Sequence, residues 1–150
     1  MKIPDIGSLV PHAKPMVLLD RVLWADQESL CAEVSIRSDS LFCTAEGVGA
    51  WVGLEYMAQA VAAYAGYVAH LRGEAVRIGF LLGTRRYDCT RPFFSVGTRL
   101  QIHVKRVFRS ENGMGSFECR IDDGAAQLAS VTLTVYQPAA DLQFPGETSP

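Results

Sequence analysis

The sequence has no excess of either charge, no CxxC pair and few histidines. Its 14 Lys and Arg stand against 16 Asp and Glu, for a net charge of −2. That balance excludes the clustered basic surface on which phosphate neutralisation depends, and with it nucleic acid as a partner. The four cysteines, Cys31, Cys43, Cys89 and Cys119, match no metal-ligand spacing. This argues against a structural metal and against a disulfide framework, and a reducing compartment would leave all four as thiols. The opening stretch, MKIPDIGSLVPH, lacks the apolar core of a secretory signal, so a cytoplasmic protein is expected. No internal repeat and no cofactor motif is present, and no cofactor is expected.

What is present is one domain's worth of chain. The 150 residues are 49% hydrophobic and 20% charged, which suits a single globular core over residues 1–137 followed by a loose, proline-bearing tail over 138–150. Valine-rich alternating runs beside one alanine-rich stretch predict an α+β fold. The stretch Trp51 to Arg72 predicts one long helix, with Gly73 as its stop and Glu55 as its one acidic residue. Strands are predicted over Pro15–Trp24 and Leu30–Arg37, joined by the turn Asp26–Ser29, with Leu41–Ala50 as a loop. Further strands are predicted over Arg77–Tyr87, Gly97–Phe108, Met114–Asp122 and Gln127–Gln137. In these, Leu100, Ile102 and Val104, and then Phe117, Cys119 and Ile121, alternate with polar residues. The expected result is five to six antiparallel strands wrapped around a central helix.

The long apolar segment raises the rival reading of a membrane span. It has few large aliphatic side chains, however, and Glu55, Gln59 and His70 would each be costly in hydrocarbon, by about 2.5–3.5 kcal/mol for a central carboxylate. A helix buried in protein is the better account, and no membrane span is expected.

Three stretches then become recognisable in order: Val10 to Leu23 (VPHAKPMVLLDRVL), Leu54 to Ala60 (LEYMAQA) and Arg85 to Leu100 (RRYDCTRPFFSVGTRL). Together they resemble the (3R)-3-hydroxyacyl-acyl carrier protein dehydratases of fatty acid synthesis, over roughly residues 8 to 136. The similarity is greatest to the divergent dehydratases associated with aryl polyene pigments. The resemblance implies a hotdog fold, a homodimer or higher oligomer with sheets joined edge to edge, a site at the subunit interface, and acyl carrier protein as the bearer of the substrate. It places Glu55 at the family's helix carboxylate. The family's other catalytic group, a loop histidine before the helix, has no counterpart, because Ser40–Ala50 contains no histidine.

Dehydration of a 3-hydroxyacyl thioester needs a base at C2, an acid at the departing C3 hydroxyl, and donors for charge growing on the thioester oxygen. Glu55 is the expected acid/base. Alternatively, it is a first-turn acid answering the helix dipole. The amides of Val52 and Gly53, at the helix start, are the expected oxygen clamp, with Gly53 also allowing close approach of substrate. Gln59, one turn beyond Glu55, is expected to reach substrate or to be a satisfied core amide. Of the histidines, His70 lies about 22 Å along the helix axis from Glu55, and His103 alternates outward with Gln101 and Lys105. His12 remains as the candidate partner of Glu55, against a loop-ordering role; Cys43, Tyr56 and Arg85 are the reserves. Arg85, Arg86, Arg91, Arg99, Lys105 and Arg106 are candidate docking charges for an acidic carrier. Two rival functions stay open, a thioesterase using Glu55 and a non-catalytic acyl-binding hotdog subunit.

Overall fold

The computed structural model describes residues 3–10, 16–75 and 80–137. His12 and the tail from residue 138 lie outside the described residues. Chain order is a short helix α1 (Ile6–Leu9), β1 (Arg21–Ala25), β2 (Ser29–Ser35), β3 (Cys43–Thr44), β4 (Gly47–Gly49), the long helix α2 (Val52–Leu71), β5 (Phe80–Cys89), β6 (Phe93–Phe94), β7 (Arg99–Arg109), β8 (Met114–Asp122) and β9 (Gln127–Tyr136). Six strands form one sheet in the order β1-β2-β7-β8-β9-β5, with every neighbouring pair antiparallel.

The helix forms where the alanine-rich stretch predicts it. It lies on one face of the sheet because the alternation of β7 and β8 supplies a matching apolar surface: Leu100, Ile102, Val104 and Ile121 are buried beneath Met57, Ala60 and Tyr64. Each of the Leu, Ile, Val and Met side chains contributes about 1.5–3 kcal/mol on burial. Gly66 has a steric reason, since a Cβ there would meet the Leu9 carbonyl carbon at 2.8 Å, and its absence lets α1 lie against α2. The β1–β2 turn is fastened by Asp26, whose carboxylate accepts the amides of Glu28 and Ser29, both at 2.8 Å. The Glu28 amide is the main reason that carboxyl is held below its usual range.

Two predicted elements differ from the fold. Of the strand expected over Pro15–Trp24, Pro15 lies outside the described residues and β1 begins at Arg21, because Met16 and Leu18 spend their backbone groups on the Gln59 side chain of α2 instead of on a strand neighbour. The expected loop Leu41–Ala50 contains β3 and β4, which join β6 in a small second sheet through Val48 opposite Phe94 and Gly49 opposite Phe93. Strands of two or three residues leave no periodicity to read. Among the described residues no helix is long and apolar enough to cross a membrane.

Candidate active site

The start of α2 is pinned by the elements around it. The Ala50 amide donates to the Pro92 carbonyl at 2.9 Å, and the Ala50 carbonyl accepts both the Gly53 amide at 3.0 Å and the Tyr87 hydroxyl from β5. The Gly53 amide, expected to clamp substrate, is therefore committed within the turn. The glycine itself answers a packing need, because a Cβ there would lie 2.5 Å from the Tyr87 hydroxyl and 3.1 Å from Ile121 and Phe94. Close approach at this position is made by protein. The sequence alone assigns Tyr87 no role; its position in the Arg85–Leu100 stretch is the available signal.

Half-buried Glu55, in the first turn of α2, opens on a groove of about 690 Å³. One wall is the remainder of α2, with Ala58, Ala62, Ala65 and Ala69; the other is Phe117, Val135 and Leu81 of the sheet. Gln59 is fully buried beside it. Its Nε2 donates to Glu55 Oε1 at 3.0 Å and to the Met16 carbonyl at 2.7 Å, while its Oε1 accepts the Leu18 amide at 2.9 Å. With both N–H groups used, Gln59 holds Glu55 and fastens the incoming chain to the helix.

Neither described histidine shares this groove. His70 is exposed in the last turn of α2. His103 is on the opposite face of the sheet, since its neighbours Ile102 and Val104 are the ones turned toward α2. There its Nε2 lies 2.9 Å from Asp122 Oδ2 and 3.9 Å from Cys31 Sγ. Burial, aided by Arg120, lowers the imidazole pKa against the opposing pull of Asp122. Burial raises the Cys31 thiol to about 11. This cysteine, histidine and aspartate meet across three strands, a juxtaposition that sequence spacing does not show.

Of the reserve groups, Tyr56 is buried, its phenol pushed up to about 12 by burial, and it lines a separate cavity of about 260 Å³ with Asp20 and Arg37. Arg85 stands exposed on β5. Among the candidate docking charges, Arg86 pairs with Asp88 at 3.3 Å and Arg99 with Glu33 at 3.9 Å. No cluster of three metal-ligating side chains occurs among the described residues. The site as described can do proton transfer at one carboxylate beside an elongated apolar groove.

Comparison with known proteins agrees with this architecture. The family model for ApeP-like proteins, described as ApeP dehydratase, matches residues 4–145. Among solved structures, the dehydratase heterocomplex ApeI:P from Xenorhabdus doucetiae superposes with a TM-score of 0.85 at 30% identity, covering 93% of this chain and 94% of that one. S. sahachiroi AziG gives a TM-score of 0.65 at 16% identity over 87% and 98% of the two chains. A hypothetical thioesterase with coenzyme A from Streptococcus pneumoniae TIGR4 gives 0.63 at 10% identity over 79% and 85%. The last two share the fold alone. No functionally curated protein matches the chain in sequence.

Proposed function

This chain belongs to the ApeP-like dehydratase family and is a hotdog-fold dehydratase, and from that premise we propose that Glu55 is the catalytic carboxylate in conversion of a (3R)-3-hydroxyacyl thioester, carried on acyl carrier protein, to the trans-2-enoyl thioester. The observation that carries the reading is the carboxylate itself. It sits in the first turn of α2, held by Gln59 at 3.0 Å, at the head of a groove shaped for a linear acyl chain. In the reaction one group takes the C2 proton, the freed electron pair forms the C2–C3 double bond, and the C3–O bond breaks as a second group protonates the leaving hydroxyl to water. Glu55 fills one of these roles.

His12 is the proposed second group. Its support comes from the described residues on either side of it: Leu9 packs against Gly66 of α2, and Met16 and Leu18 are bonded to Gln59, the residue that also holds Glu55. The Val52 amide is the proposed donor to the thioester oxygen, with the positive end of the α2 dipole behind it. Gln59 is proposed to act by orienting Glu55.

A second hotdog subunit is proposed to pair along β5, the ten-residue edge of the sheet, and to complete the groove. That the related ApeI:P assembly is a heterocomplex, together with the missing loop histidine, favours one alternative, in which this chain serves as the supporting member of such a pair. A single assay series separates the two. The protein alone, the protein with a partner dehydratase, and each combination carrying Glu55→Gln or His12→Ala are given carrier-linked 3-hydroxyacyl substrates, and enoyl absorbance is followed. Catalysis at this site requires Glu55→Gln to lower the rate about 10²- to 10⁴-fold; an unchanged rate in the assembled pair assigns the chemistry to the partner. Release of free thiol without enoyl formation would instead indicate a thioesterase.

A further inference from the structure

The edge strand β5 is irregular beside the start of α2. Arg85 lies opposite Thr132 of β9 and Asp88 opposite Ser130, so Arg86 and Tyr87 together face the single residue Val131. Within this bulge Arg86 has φ +45°, in the left-handed region that favours glycine. A conformation of that kind persists only where its surroundings impose it, and such outliers cluster at functional sites. The Arg86–Asp88 ion pair, at 3.3 Å with both side chains largely exposed, is too solvated to impose it. Tyr87 is the stronger anchor, because its ring packs against the core and its hydroxyl donates to the Ala50 carbonyl.

That bond completes a grip on one residue. The Ala50 amide donates to the Pro92 carbonyl at 2.9 Å, so the segment 87–92 holds both the N–H and the C=O of Ala50. The same carbonyl accepts the Gly53 amide at 3.0 Å, closing a turn with Trp51 and Val52 at its centre. Val52 opens α2, and an amide at that position has no partner within the helix. Burial raises the Tyr87 pKa, so the hydroxyl keeps its proton and stays a donor at neutral pH. Gly53 leaves the space that this hydroxyl fills, since a Cβ there would lie 2.5 Å from it. We propose that Tyr87 is a positioning residue for dehydration: by fixing the Ala50 carbonyl it aims the Val52 amide at the thioester oxygen and sets the first turn of α2, which carries Glu55. This inference rests on the roles proposed above for Val52 and Glu55.

Tyr87→Phe keeps the ring and removes the donor. The Ala50 carbonyl retains the Gly53 amide, so the variant should melt close to the unsubstituted protein. With a 3-hydroxyacyl pantetheine thioester and the assembled protein, kcat should fall about 10- to 100-fold with KM little changed, the scale of a misaimed group and at most that of losing an oxyanion donor outright. Infrared difference spectra supply the second readout. The probe is a saturated acyl pantetheine thioester carrying a 13C-labelled carbonyl, which has no hydroxyl to lose. Its carbonyl band should lie below the solution frequency when bound and move back toward it in Tyr87→Phe, a change that a merely structural role would not produce. An unchanged kcat, a band that stays in place, or activity lost only because the variant fails to fold overturns the inference. Glu55→Gln measured alongside keeps the catalytic reading separate. No dehydration by the unsubstituted protein, or a rate that survives Glu55→Gln, removes that reading while the band still reports whether Tyr87 aims Val52. A rate lost with Glu55→Gln but untouched by Tyr87→Phe leaves the reaction and removes the positioning role.

Discussion

The outer face of the six-stranded sheet and the helix that covers its inner face each hold a carboxylate in a hydrogen-bonded cluster, and the two clusters make opposite use of it. On the outer face Asp122, His103 and Cys31 contain the residue types of a nucleophilic triad. Their geometry does not match one, since the same imidazole nitrogen faces both Asp122 at 2.9 Å and Cys31 at 3.9 Å. A triad needs the acid on one ring nitrogen and the nucleophile on the other. The thiol, raised to about 11 by burial, is also far from its reactive form. On the inner face Gln59 holds Glu55, and that carboxylate opens on a groove of about 690 Å³. Residue types that meet in a packed surface stabilise the sheet, whereas one carboxylate at the head of a groove has somewhere for a substrate to go.

The largest structural effect is expected for Gln59→Leu, which leaves the Leu18 amide and the Met16 carbonyl without their partner at a cost of roughly 1–3 kcal/mol each. Urea unfolding measures the loss, and turnover should fall with it because Glu55 loses its support. A Gly53→Ala substitution forces a methyl against Tyr87, Ile121 and Phe94. Overpacking of this kind costs about 1–3 kcal/mol, so it should appear as a lowered melting temperature; a change confined to KM would show that substrate, not protein, occupies that space.

Smaller effects are expected on the outer face. Cys31→Ala should leave the dehydration rate as it is, and a thiol reagent at about pH 8 should label half-exposed Cys43 and Cys89 ahead of Cys31. Rapid labelling of Cys31 would mean that the outer cluster is reactive after all. The smallest effect concerns pH. The folded pKa of His103 is lowered from the ordinary value of 6.5, chiefly by burial. Below that value the unfolded chain therefore binds a proton more readily than the folded one. The stability supplied by the neutral imidazole is present above pH 6.5 and is lost as pH falls from there through the folded pKa. His103→Gln should flatten that slope in unfolding measured across the range.

Much of the inner face was legible in the sequence. The alanine-rich run with one acid predicts α2 within a residue at each end, and the alternation through Leu100–Val104 and Phe117–Ile121 predicts the surface it covers. Other features depend on register or on distant partners. Gln59 reads as a helix residue one turn from Glu55, but its role comes from Met16 and Leu18, more than 40 positions earlier. The same Gln59 contacts keep the run after Pro15 out of the sheet, so one residue accounts for a misread strand and for a site interaction. Gly53 suggested room for substrate because a sequence does not show which neighbour takes the space that a glycine leaves. The outer cluster needs β2, β7 and β8 in register before its members meet.

If the inner face alone carries the chemistry, substitutions on the two faces separate cleanly. The most direct measurement gives one carrier-linked 3-hydroxyacyl substrate to the assembled protein and follows enoyl formation for two variants side by side, Glu55→Gln and the doubly substituted Cys31→Ala, His103→Gln. Chemistry confined to the inner face predicts a fall of about 10²- to 10⁴-fold for the first and an essentially unaltered rate for the second. An unaltered rate with Glu55→Gln, or a collapse caused by the outer pair in a protein that remains folded, would contradict it.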